Sequence, residues 1–76
     1  MEKHPDLVAL GQTVRSLRRE ADLTQEELAE RAGISANYVG EIERGECNPS
    51  VLVMFALASG LKAPVDELFR EATKDV

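Results

Sequence analysis

The chain has 76 residues, of which 43% are hydrophobic and 30% charged. This profile indicates one small folded domain, residues 1–76, rather than a disordered or multidomain protein. Its single cysteine, Cys47, excludes an internal disulfide, and the sequence offers neither a signal peptide nor an apolar run of about 20 residues, so a cytoplasmic protein is expected. The net charge of −5 counts against a nucleic-acid partner, because phosphate contacts dominate that affinity. However, Arg15, Arg18 and Arg19 are grouped closely enough to form one basic face.

A first helix is predicted from Asp6, as its cap, to about Ala21 (residues 6–21). Apolar residues recur along it at helical spacing. They are Leu7, Leu10, Val14, Leu17 and Ala21. Gly11 lies inside this pattern and costs about 1 kcal/mol relative to alanine. Its presence there indicates that another helix approaches closely.

The next stretch predicts two short helices, 25–32 and 36–43, around a glycine turn. Thr24 and Glu27 have the spacing of a capping box, Gly33 suits the left-handed conformation that ends a helix, and Ser35 is a good cap for the following helix. Gly45 closes that helix in turn. Two helices so closely joined fit a helix-turn-helix, although similar pairs also occur in helical bundles that bind nothing.

A fourth helix, 51–59, is predicted between its cap Ser50 and Gly60, and a fifth over 65–73. The fourth is apolar nearly all round. One stripe is predicted to face the core: Val51, Met54, Ala58 and Leu61. A second stripe lies on the other side: Leu52, Phe55, Ala56 and Ser59. The fold class is therefore all-α, a compact five-helix bundle.

The second stripe of the fourth helix needs a cover. A helix that is apolar all round is normally buried on both sides, and a bundle this small has little room to do that alone. We therefore expect a homodimer whose interface contains Leu52, Phe55 and Ala56, completed by Phe69 of the fifth helix. The alternative is that this helix is simply a deep core element.

The helix 36–43 carries an outward polar stripe formed by Asn37, Gly40, Glu41 and Arg44. A helix that reads DNA holds one face on the core and offers the other to base edges. Asn37 suits adenine, Glu41 suits the amino group of cytosine, and Ala36, beside the stripe, suits a thymine methyl group. An exposed helical glutamate is also common on a face that contacts only solvent.

A separate group is predicted to contact DNA phosphates. Gln25 lies in the first turn of its helix, where free backbone N–H groups favour an anion. Arg44, Asn48 and Tyr38 flank the other end of the candidate reading helix, and Arg15 or its neighbour Arg19 could add a contact from the first helix.

The order and spacing of several blocks resemble the lambda-repressor-like, Cro-type (XRE) helix-turn-helix family. The blocks are Leu23-Thr24-Gln25-Glu26-Glu27-Leu28-Ala29, Gly33-Ile34-Ser35, Tyr38-Val39, Ile42-Glu43-Arg44-Gly45, Asn48-Pro49-Ser50 and Asp66-Glu67-Leu68-Phe69. The resemblance implies a dimeric transcription regulator whose second motif helix enters the major groove. It also implies a set of DNA-contacting positions: Gln25, Ser35, Ala36, Asn37 and Glu41.

The resemblance further implies an internal salt bridge between Arg18 and Glu43. The short chain is similar to restriction–modification controller proteins or compact phage-type repressors. The sequence departs from the family at Gly40, which leaves an empty position on the reading face. It also departs at Leu52, Phe55 and Ala56, where polar residues are common.

The function expected is a sequence-specific transcriptional regulator that binds a pseudo-palindromic operator on double-stranded DNA as a homodimer. The alternative is a protein-interaction module, such as an antitoxin or an accessory subunit, on the same fold. Glu41, Glu43 and Glu46 form a candidate acidic contact for RNA polymerase. An enzyme is not expected, because no nucleophile has a neighbouring base, and we expect no cofactor. His4 and Cys47 are too few ligands for a metal site.

Overall fold

The computed structural model describes residues 3–73 and contains four α-helices of eight residues or more. They are α1 (Pro5–Glu20), α2 (Gln25–Ala32), α3 (Ala36–Glu43) and α4 (Val51–Leu61). A 3-10 helix, Val65–Phe69, and one α-turn, Arg70–Thr73, follow. The predicted all-α class is confirmed, and α2 and α3 have the predicted bounds. No helix in this part of the chain is long and apolar enough to cross a bilayer.

The start of α1 differs from the prediction, because His4 rather than Asp6 caps it. The Nδ1 atom of His4 accepts the backbone N–H of Asp6 at 3.1 Å. Pro5 occupies the first helical position, where its missing N–H costs no helical bond. The helix ends at Glu20, with Ala21 as its C-cap.

The caps of the next three helices are formed by side chains, as predicted. The Thr24 hydroxyl accepts the N–H of Glu27 at 3.0 Å, and a Glu27 carboxylate oxygen accepts the N–H of Thr24 at 2.8 Å, which completes the capping box. The hydroxyl of Ser35 accepts from Tyr38 N at 3.0 Å. The hydroxyl of Ser50 does the same for Val53 N at 3.2 Å.

The end of α4 was predicted wrongly. Gly60 lies inside the helix, which continues to Leu61 and closes at Lys62 in the left-handed conformation, with a φ of 55°. A Cβ on Gly60 would lie 3.1 Å from Leu28 Cδ1 and 3.2 Å from Arg31 Cβ. The glycine is therefore a point of close packing between α4 and α2 rather than a stop signal.

The predicted fifth helix, 65–73, is corrected to a 3-10 helix and a single α-turn. Pro64 is the N-cap of this segment and makes no side-chain cap hydrogen bond. Instead, Glu67 N donates to Pro64 O at 3.0 Å, across three residues. That tighter pattern is typical of short helical pieces. The predicted five-helix bundle is thus a bundle of four helices followed by a short helical segment.

The core is one cluster of buried apolar side chains drawn from every helix and from the 3-10 segment. Its members are Leu10, Val14, Leu23, Leu28, Ala29, Val39, Ile42, Met54, Leu57, Ala58, Leu61 and Leu68. The predicted close approach at Gly11 is confirmed, because a Cβ there would overlap the carbonyl oxygens of Ile42 and Glu43 and would lie 2.6 Å from the latter. The carboxyl end of α3 therefore rests directly on α1.

Candidate nucleic-acid interface

Helix α3 has one face in the core and the other in solvent. Val39 and Ile42 are 0% and 1% exposed and hold the helix against the core. The opposite side carries Asn37, Gly40, Glu41 and Arg44, which we call the reading stripe. Asn37, Glu41 and Arg44 are exposed, whereas Gly40 is buried. The stripe is therefore available to a partner at three of its four positions.

The N-terminal turn of α3 is less exposed than the reading stripe. Ser35 is exposed, but its hydroxyl is used as the helix cap. Ala36 and Tyr38 are half-buried and pack against the core cluster. Burial raises the pKa of the Tyr38 phenol above its ordinary value, so the hydroxyl stays protonated at neutral pH and remains a hydrogen-bond donor.

A buried polar network ties α1, α2 and α3 together behind the reading stripe. Arg18 Nε lies 2.6 Å from Glu43 Oε2 and Arg18 Nη2 lies 3.1 Å from Glu43 Oε1, a two-point salt bridge between side chains only 12% and 3% exposed. Arg18 Nη1 also donates to the Leu23 carbonyl at 2.8 Å. The hydrogen bond to Glu43 raises the pKa of Arg18 above its ordinary value. The pair named by the family resemblance is thus present.

The network includes one residue that was not expected in it. Gln25 Nε2 donates to Glu43 Oε1 at 3.0 Å, so the amide predicted to contact a phosphate is oriented by a buried carboxylate. No buried side-chain nitrogen or oxygen within residues 3–73 lacks a hydrogen-bond partner. Because Glu43 is enclosed in this way, it is not part of an acidic surface with Glu41 and Glu46.

The remaining polar candidates surround α3. Arg15 on α1 and Asn48 after α3 are both exposed. Arg44 Nε lies 3.0 Å from Glu46 Oε1, and Lys3 Nζ lies 3.9 Å from Glu46 Oε2. One carboxylate therefore partly offsets two cations at this end of the helix, and the face around α3 is only weakly basic.

Arg44 has a position that the sequence did not suggest. A Cβ added to Gly40 would lie 3.0 Å from Arg44 Nη1 and 3.8 Å from Gln25 Nε2. The empty position expected at Gly40 is therefore occupied by the ends of two neighbouring side chains. The separation of four residues between Gly40 and Arg44 was the available signal, since residues four apart on a helix lie on the same face.

The outer side of α4 exposes large apolar side chains, which we call the α4 face. They are Leu52 (80% exposed), Val51 (69%) and Phe55 (54%); Phe69 of the following 3-10 helix is also 41% exposed. Ala56, also on α4, is half-buried. Val51 was predicted on the core stripe, and this was wrong: it is the first residue of α4 and is 69% exposed.

A shallow groove between the start of α1 and the loop after α3 contains His4 and Cys47. Burial raises the pKa of the Cys47 thiol above its ordinary value, so the thiol is protonated at neutral pH. In the part of the chain that the structure describes, no three His, Cys, Asp or Glu side chains gather into a possible metal site.

Two short helices joined at a left-handed glycine, the second buried on one side and polar on the other, define a helix-turn-helix domain. Residues 9–71 match the family model described as a helix-turn-helix domain. The chain belongs to this family, and its relatives place it among regulators of the lambda-repressor-like (XRE) type.

Three similar proteins illustrate that family. The restriction-modification controller protein C.AhdI from Aeromonas hydrophila is 42% identical and has a TM-score of 0.85, over 87% of this chain and 100% of that chain. The control protein C.SmaI of Serratia marcescens is 39% identical over 78% of this chain and 70% of its own length. The immunity repressor protein of Bacillus phage phi105 is 38% identical over 87% of this chain, and the match spans only 46% of that repressor.

Proposed function

We propose that the protein is a sequence-specific transcriptional regulator that binds a pseudo-palindromic operator in double-stranded DNA as a homodimer. The observation that carries the proposal is the exposed reading stripe of α3, held rigid by a core on its other side. Membership of the helix-turn-helix family supports placing this helix in the major groove.

The proposed base contacts are made by the N-terminal half of α3. The exposed Asn37 side chain has the donor and acceptor that pair with adenine, and Glu41 accepts from the amino group of cytosine. Ala36 offers its methyl group to thymine, although this residue is partly buried against the core. Ser35 adds a contact only if its hydroxyl donates while accepting the cap bond, which one hydroxyl allows.

The proposed phosphate contacts come from Gln25, Tyr38, Asn48 and Arg15. Gln25 lies at the N-terminal end of α2, and one N–H of its amide donates to the Glu43 carboxylate. This hydrogen bond fixes the orientation of the amide, so that its second N–H can donate to a phosphate. Tyr38 contributes a protonated hydroxyl. Only one of these four groups carries a charge, so a single domain with a net charge of −5 should bind weakly.

We propose that dimerisation through the α4 face compensates for the weak DNA binding of a single domain. Covering an apolar side chain the size of leucine or phenylalanine contributes about 1.5–3 kcal/mol, and Leu52 and Phe55 are the two central residues of this face. Phe69 and Ala56 would complete the interface. A second copy would bring a second reading stripe to a half-site one helical turn of DNA away, about 34 Å, or a multiple of it.

The test combines selection of DNA from a random pool with sedimentation of the pure chain. The proposal expects a two-fold symmetric sequence and a mass twice that of the monomer. A protein-interaction module, such as an antitoxin or accessory subunit, would use the exposed α4 face for a different chain. That second function would give a monomer that selects no sequence. A polymerase contact through Glu41 and Glu46 would appear only as activation in a reconstituted transcription assay.

A further inference from the structure

Gly40 is a buried glycine on a stripe that otherwise faces solvent. Its surface is covered by the guanidinium of Arg44, whose Nη1 would lie 3.0 Å from a Cβ at this position. The missing side chain thus forms a notch in the middle of the reading stripe, and a positively charged group occupies it.

The direction of helical side chains explains why Arg44 reaches the notch. Side chains on an α-helix point back toward its N-terminus, so a long residue covers the turn that precedes it. Arg44 is the C-cap of α3, at the far end from the usual base contacts, but its guanidinium is carried back one turn to Gly40. Glu46 Oε1 holds its Nε at 3.0 Å, which leaves both Nη groups for a partner.

We propose that Arg44 is a specificity-determining residue that reads a guanine through its two Nη groups. Gly40 leaves the space in which the guanidinium lies, and Glu46 is the positioning residue that pairs with its Nε. This inference rests on the proposed function. Two donors spaced as in a guanidinium match the O6 and N7 acceptors of guanine in the major groove. The guanine would lie beside the base pairs contacted by Asn37 and Glu41, because Gly40 lies between those two residues along the helix.

The charge around Arg44 favours a base over a phosphate. The Glu46 carboxylate, 3.0 Å from Arg44 Nε, offsets part of the positive charge of Arg44 and would repel a phosphate brought to the same place. The edge of a guanine carries only partial negative charges on O6 and N7, so the carboxylate repels it less than it repels a phosphate. Both ligands present acceptor oxygens, so the two alternatives are separated by how binding depends on sequence and on salt.

The experiment uses the site selected by the wild-type chain and a panel of sites with one base pair changed at a time. For the wild type, replacing one particular G·C pair should weaken binding by about tenfold to a hundredfold. Arg44→Ala should lose that discrimination at that pair alone. The control Arg19→Ala removes an exposed arginine of α1 and should leave discrimination unchanged at every pair.

Uniform weakening by Arg44→Ala over the whole panel, with the salt dependence reduced by about one phosphate contact, would overturn the inference and leave the proposed function standing. A wild-type chain that selects no sequence would overturn both. The two failures therefore give different results.

Gly40→Ala tests the notch itself. Its Cβ would press only on the flexible end of Arg44, so the fold should tolerate it, and alanine favours a helix more than glycine does. The expected result is a melting temperature equal to or above that of the wild type, with discrimination lost at the same G·C pair. In an Arg44→Ala background, Gly40→Ala should cause no further loss. Additive losses would mean that Gly40 acts on DNA directly, and its proposed role of making room for the Arg44 guanidinium would be wrong.

Discussion

The outer sides of α3 and α4 are both exposed, but they differ in what the rest of the chain does for them. The reading stripe on α3 is polar, and the Arg18–Glu43 salt bridge and Gln25 hold the backbone behind it. The α4 face is apolar, and its two central residues, Leu52 and Phe55, remain 80% and 54% exposed. The reading stripe is supported by side chains of the same chain, whereas the apolar side chains of the α4 face remain exposed to solvent.

This difference separates two ways in which the molecule could lose function. Damage to the network behind α3 acts on folding and on the position of the reading stripe together, because the same carboxylate holds α1 and Gln25. Damage to the α4 face should leave the monomer folded, because none of its exposed residues belongs to the core cluster.

Glu43→Ala should have the largest effect, on the α3 side of the comparison. It would leave Arg18, a mostly buried guanidinium, without its carboxylate, and breaking a buried pair in this way costs about 3 kcal/mol or more. Urea denaturation measures the loss. Glu41→Ala is the matched control, an exposed glutamate on the same helix, and should change stability by less than about 0.5 kcal/mol. Equal midpoints for the two variants would contradict the supporting role of the network.

Phe55→Glu should break the α4 side without unfolding the chain. A charge on the proposed interface should convert the dimer to a monomer, and losing the second half-site should weaken operator binding by about a hundredfold or more. Sedimentation and a titration with operator DNA measure the two effects. Phe55→Met keeps the surface apolar and should preserve both the mass and the affinity. A Phe55→Glu chain with unchanged mass would mean that the α4 face is not the interface.

Asn37→Ala should act on one base pair only. Losing a paired contact to adenine should cost about 1–3 kcal/mol at that pair and leave the other pairs as they were. Asn48→Ala, at a predicted phosphate contact, should instead weaken every sequence to the same extent. Binding of both variants to single-substitution panels distinguishes the two patterns, and uniform weakening by Asn37→Ala would remove it from the base contacts.

Most of the fold could be predicted because its signals are local. Thr24, Glu27, Ser35 and Gly33 make their hydrogen bonds or turns within a few residues, so both helices of the motif were bounded correctly. One of the errors arose where a distant contact decided the outcome. Gly60 has the residue type of a helix stop, but its close packing against α2 keeps it inside α4.

The candidate site was predictable in its residues but not in their arrangement. The helical period was sufficient to put Asn37, Glu41 and Arg44 on one stripe. It could not reveal that Gln25 hydrogen-bonds to Glu43, because that contact joins different helices. The period did place Arg44 on the same face as Gly40, but it could not fix the rotamer that brings the guanidinium back over the glycine.

The C-terminal ends of α3 and α4 also differ, and substitutions there should have the smallest effects on stability. The chain that leaves α3 turns at Gly45 with a φ of 72°, whereas α4 closes at Lys62 with a φ of 55°. A side chain in that left-handed region costs about 1 kcal/mol, and part of the gain from glycine is lost to the greater freedom of the unfolded chain. Lys62→Gly should therefore stabilise the fold by about 0.5 kcal/mol. Gly45→Ala should do the opposite and by more, because its Cβ would also lie 2.9 Å from Val8 Cα. Thermal unfolding measures both.

Lys62 lies on neither the reading stripe nor the α4 face, so Lys62→Gly should leave mass and operator affinity unchanged. A lower melting temperature would mean that the exposed lysine side chain stabilises the end of α4 by more than the strain it carries.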